Sequence, residues 1–195
     1  MRASSFSGVQ VNSEALGFEG FQFLPVTGDR LLIPGENGQL RVLRTSSPSK
    51  HTLTTLRTWA YGKIAPIRGK GSDQFAVGTP GEVLLVKVTN DDKVEVFDRI
   101  PVEFERKYVP SAIAENRDLL FVACNYSEFV WFDKDHRVVK RRENVARSIR
   151  AQFEFDDPSH LGLLLESDIS NEYELAVIDL GSGETVAMGK IAFEI

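Results

Sequence analysis

The chain has 195 residues and a formal net charge of −5, with 42% hydrophobic and 26% charged residues. This ordinary globular composition excludes general disorder, and the length supports a core without disulfides or a structural metal. One cysteine, Cys124, excludes an internal disulfide framework and zinc sites built on cysteine pairs.

Residues 1–20 read as an extension, with Gly8-Val9-Gln10-Val11 as a candidate strand. From residue 21 onward, short apolar alternations are punctuated by Gly, Pro, Asn and Asp, which signals strands and turns rather than helices. The first unit, 21–61, has an inner strand at 21–24 and further strands starting at Arg30, Gln39 and His51. Its Asn37-Gly38 pair predicts a tight hairpin, because both positions accept φ > 0. The second unit, 62–108, has an inner strand at 64–67 and strands from Asp73, Glu82 and Lys93. The third, 109–150, has one at 111–114 and strands from Asp118, Glu128 and Arg137. A helical turn capped by Asn144 is expected at 144–148. The fourth unit, 151–188, has an inner strand at 151–155 and strands from His160, Glu174 and Glu184. Second strands thus recur after 43, 45 and 42 residues.

A unit of ~40–45 residues with four antiparallel strands resembles the blade of a WD40-like β-propeller. The likeness rests on period and strand order and covers nearly the whole chain. The family's Gly-His and Trp-Asp dipeptides do not occur, and Phe132-Asp133 and Ile178-Asp179 stand at the corresponding strand ends. It implies an all-β fold of about four four-stranded antiparallel blades. By analogy of fold, it also implies a noncatalytic scaffold for a partner protein or peptide.

The ends raise the question of closure. Gly189-Lys190-Ile191-Ala192 repeats Gly62-Lys63-Ile64-Ala65, which opens an inner strand. Residues 189–195 are therefore expected to start an incomplete blade, the alternative being a tail that extends the fourth. The chain is then a piece of a longer propeller, half of a homo-oligomeric or two-chain one, or a ring closed through its own termini.

Chemistry is sparse. His51, His136, His160 and Cys124 show no metal-ligand spacing, and there is no nucleophile elbow or phosphate-cradling glycine loop. Asp156-Asp157-Pro158 reads as turn chemistry and Cys124 as a small buried residue. No catalytic residue, cofactor or metal is expected. The links between each outer strand and the next inner strand carry arginines and aromatics, a composition typical of protein–protein contacts. Candidate partner-binding residues are Trp59, Tyr61, Arg106, Tyr108, Arg142 and Arg147, with Tyr126 in a hairpin turn on the same face. One alternative is a small ligand or glycan bound, or a reaction catalysed, in a central funnel, with Gln22, Arg68, Glu115 and Gln152 offered by the inner strands. Another is nucleic acid on the basic links, which the acidic balance disfavours. No apolar run reaches the ~18 residues of a membrane helix. Residues 1–6 lack the apolar core of a signal peptide, so an intracellular setting, cytoplasmic or nuclear, is expected.

Overall fold

The computed structural model describes residues 23–34, 39–47, 51–55, 64–67, 72–102, 110–116, 119–124, 128–143, 147–167 and 172–191. Within them lie sixteen strands in four antiparallel sheets. The first sheet holds β1 (Leu24–Val26), β2 (Arg30–Pro34), β3 (Gln39–Arg44) and β4 (His51–Thr55). The second holds β5 (Ile64–Pro66), β6 (Gln74–Thr79), β7 (Glu82–Val88) and β8 (Val94–Pro101). The third holds β9 (Pro110–Asn116), β10 (Leu119–Cys124), β11 (Glu128–Asp133) and β12 (Val138–Glu143). The fourth holds β13 (Arg147–Glu154), β14 (His160–Ser167), β15 (Tyr173–Asp179) and β16 (Thr185–Ile191). In every sheet sequential strands are neighbours, so each sheet is one repeat unit folded locally into a meander.

Two expectations are corrected. Arg147 and Ser148 belong to β13, so no helical turn covers them; 144–146 lie outside the described residues. Gly189–Ile191 pair with Leu175–Tyr173 as the end of β16. They therefore extend the fourth sheet rather than begin another, and 192–195 lie outside the described residues. Pairing wins here because Tyr173–Val177 of β15 offer a regular ladder that takes in the repeated glycine and lysine.

Each sheet alternates its side chains between two faces, and consecutive sheets bury facing sides against each other. Leu32, Leu40 and Val42 meet Phe75, Val77 and Leu84 between the first and second sheets. Ala76, Val83 and Ile100 meet Ile113, Val122 and Phe132 between the second and third. Phe121, Phe129 and Trp131 meet Leu161, Leu163 and Ile178 between the third and fourth. Buried Cys124 ends β10, where the register against β9 shifts.

A second repeated feature was not visible in the sequence. The outer strand of the last three sheets carries a one-residue bulge at the same place, opposite Leu85/Val86, Trp131/Phe132 and Val177/Ile178. The extra residues are Phe97, Val139 and Val186, and all three are among the large apolar side chains left exposed. A bulge leaves one residue unpaired and bends the strand, which accounts for their outward position. The turn before each of these strands also repeats. Asp92 (φ 65°), His136 (φ 60°) and Gly183 (φ 71°) occupy its left-handed position. Glycine takes that conformation freely, and Asp and His are among the side chains that tolerate it best.

Candidate interaction surfaces

The left-handed turns are where one sheet grips the next. Arg30, 8% exposed, donates to the Thr27 carbonyl at 3.0 Å and to the Thr89 carbonyl at 2.8 Å. It also pairs with Asp73 at 3.0 Å and Asp92 at 3.7 Å. Arg44 forks onto both oxygens of Asp92 at 2.7 and 3.0 Å. At the next junction His136 Nδ1 lies 3.3 Å from Asp98 Oδ2. At the third, Lys140 donates to the Ser182 carbonyl and Arg142 to the Gly183 carbonyl at 3.1 Å. Inner strands are stitched as well. Gln152 accepts from the Ile113 amide at 3.1 Å and donates to its carbonyl at 2.9 Å.

These contacts locate the residues singled out in the sequence. Arg142 sits on β12, holding the turn of the fourth sheet. Arg147 opens β13. Trp59, Tyr61, Arg106, Tyr108 and Tyr126 lie outside the described residues, as do Gln22 and Arg68. Gln152 is committed to the inter-sheet contact. Glu115 instead lines a groove at the end of the strands where inner strands turn into second strands.

That groove has a volume of about 1040 Å³ and runs across the second, third and fourth sheets. Its floor is apolar, with Ile67, Ile100, Leu120 and Leu161. Among the described residues its walls carry the carboxylates of Asp98, Glu115, Asp133, Glu154 and Asp156 and the ammonium of Lys134. His136 and His160 also line it, each beside aspartate: His160 Nδ1 is 2.9 Å from Asp157 Oδ2, and its Nε2 is 3.9 Å from Asp179 Oδ2. Asp133 accepts from the amides of Asp135 and Arg137, both at 2.9 Å. Sequence reading missed the groove because its walls come from three units. Glu115 alone reads as an inner-strand residue and Asp156 as a turn residue.

Several turn aspartates titrate below the usual carboxylate value. The Ser46 hydroxyl lowers Asp29, and the Ser159 and Ser182 amides lower Asp157 and Asp179. Hydrogen bonds from Lys93 and then Thr89 bring Asp91 to about 2. A carboxylate whose folded pKa lies below its unfolded value of 3.8 stabilises the fold fully above that value. The stabilisation is lost as pH falls through the folded value. The melting temperature is therefore expected to hold on the neutral side and drop between about pH 4 and pH 2. Calorimetry checks this, and an unchanged melting temperature at pH 2.5 would contradict it.

Among the described residues no three His, Cys, Asp or Glu side chains are grouped to hold a metal ion. Nor is any described helix long and apolar enough to cross a membrane.

No protein-family model matches the chain. No curated protein matches it. Solved structures do. One described as the structure of the Dos1 propeller superposes with a TM-score of 0.62 at 11% identity, over 83% of this chain and 44% of that one. The fold is a β-propeller. The chain spans less than half the length of the solved propeller that it matches. The sheets are accordingly blades, and the left-handed turns are clasps between successive blades.

Proposed function

We propose that this protein is a noncatalytic propeller scaffold whose groove receives a basic peptide segment of a partner protein. The observation that supports this reading is the groove itself, an apolar floor spanning three blades whose described walls carry five carboxylates and one lysine. An extended peptide finds a desolvated floor for its apolar side chains there and counter-charges for its lysines and arginines. Such complementarity sets specificity and on-rate more than raw affinity. The same carboxylates repel phosphates, which weighs against nucleic acid at this end of the blades. A WD40-like subfamily, supported by the period and strand order, is part of the same proposal. So is an intracellular setting as a complex subunit.

The test uses Glu154 and Asp156, both exposed on the groove wall, so that replacing them spares the core. Fluorescence anisotropy with a labelled Arg/Lys-rich peptide should show binding that weakens with salt. In the variant carrying Glu154→Lys and Asp156→Lys it should weaken at least tenfold. An acidic peptide of the same length should not bind the parent protein. Equal affinity of parent and variant would overturn the assignment of the groove.

A further inference from the structure

Neighbouring residues of a strand point to opposite faces of its sheet. Phe97 and Asp98 are neighbours in β8, yet both line the groove. The bulge is the reason. Asp98 pairs with Leu85 and Val96 with Val86, so Phe97 is the extra residue and the alternation slips by one. A phenyl and a carboxylate are thereby presented side by side. The same bulge carries Val139 next to Lys140 in the third blade and Val186 next to Ala187 in the fourth. Neither of those pairs lines the groove. Of the three bulges, the one that borders the groove holds the aromatic ring.

The second blade has a blade packed on each side, and Phe97 is nevertheless 51% exposed. Asp98 is fixed beside it. Its Oδ1 accepts from the Arg99 amide at 2.7 Å, and its Oδ2 lies 3.3 Å from His136 Nδ1. A carboxylate has about four lone-pair sites, so acceptor capacity remains for a ligand. The Arg99 guanidinium is held by Glu82 at 3.1 Å. An exposed phenyl beside an accessible carboxylate suits a guanidinium better than an ammonium. The guanidinium is planar, stacks on an aromatic face, forks onto a carboxylate and is the more weakly hydrated ion. An ammonium meets the carboxylate as a point charge, gains less from the ring and keeps more of its water.

We infer that Phe97 and Asp98 make the groove select arginine over lysine in the segment it binds. The inference rests on the reading of the groove as a site for a basic peptide and names the basic residue that site prefers. Fluorescence anisotropy with two labelled peptides of equal length and charge tests it, one with arginine as its basic residue and the other with lysine. The parent protein should bind the arginine peptide about fivefold more tightly, the scale of a cation stacked on a partly exposed ring. Phe97→Leu keeps an apolar side chain without the ring. It should weaken the arginine peptide alone and bring the two affinities close to equality. Phe97→Tyr should keep the preference. Phe97 is exposed, so both changes spare the core, and unchanged melting temperatures check that. Equal affinity of the parent for the two peptides overturns the inference and leaves the groove a basic-peptide site. A preference that survives Phe97→Leu also overturns it, because the ring is then not the selecting group. Binding of neither peptide overturns the assignment of the groove and this inference with it.

Discussion

Replacing Trp131 by alanine should destabilise the protein by about 3–5 kcal/mol, the range for truncating a large buried aromatic. Trp131 is 1% exposed. Its ring centroid lies 5.0 Å from that of Phe121 and 6.4 Å from that of Phe129, and the Lys140 ammonium stands 5.4 Å from the ring. The indole is also the floor on which the clasp of the fourth blade rests. A Cβ built on Gly183 would come within 2.9 Å of its Cζ2 atom. The cavity left by alanine would open between two sheets held in place by different segments of chain, so collapse around it is limited. For a domain of this length, each kcal/mol moves the melting temperature by about 2–4 °C. A fall of roughly 10 °C is expected by calorimetry. Trp131→Phe should cost much less, because it keeps most of the ring and removes an indole N–H that is buried without a hydrogen-bond partner among the described residues. Equal losses in the two variants would show that ring volume is not what counts there.

Arg30→Ala should cost about 2–4 kcal/mol. Removing one partner of a buried ion pair costs roughly 3–5 kcal/mol, because the remaining charge stays desolvated and uncompensated. Here the Arg30 side chain is 9% exposed but Asp73 is 33% and Asp92 16% exposed, so water takes up part of the loss and the lower part of the range applies. The Thr27 and Thr89 carbonyls lose a charged donor in the same step. Arg30→Met keeps the apolar stem and separates packing from charge. It should recover under half of the lost stability. A double-mutant cycle with Asp73→Ala should show a favourable coupling of about 1 kcal/mol or more. A coupling near zero would mean that the arginine acts through the carbonyls alone.

How much was legible in the sequence follows from which interactions are local. The second strands were expected from Arg30, Asp73, Asp118 and His160, and they begin at Arg30, Gln74, Leu119 and His160. Alternation and turn chemistry act over a few residues, and hairpin pairing follows from them. The misplaced pieces were those where local signals tie. Asn144 followed by Val145-Ala146-Arg147 fits a cap as well as a link. Gly189-Lys190-Ile191 fits an inner strand as well as the end of an outer one. Pairing with β15 decided the second case. The candidate site was less legible. Arg142 reads as a free surface cation, yet its guanidinium is given to a carbonyl 41 residues away. Glu115 reads as an inner-strand side chain and Asp133 as a strand-end carboxylate until three blades bring them to one groove.

The sequence by itself determined the all-β class, the four repeating units, their strand order and the two-faced alternation of each sheet. Those properties depend on side-chain period and on backbone preferences at turns, which are written residue by residue. The tertiary structure alone decided which face of each sheet has a partner. It set the clasps between Arg30, Arg44 and Asp92 and between Arg142 and Gly183, and turned Phe97, Val139 and Val186 outward at the bulges. The clasps join residues roughly one blade apart. Alternation writes two apolar faces into every sheet, but only packing says which of them is already covered.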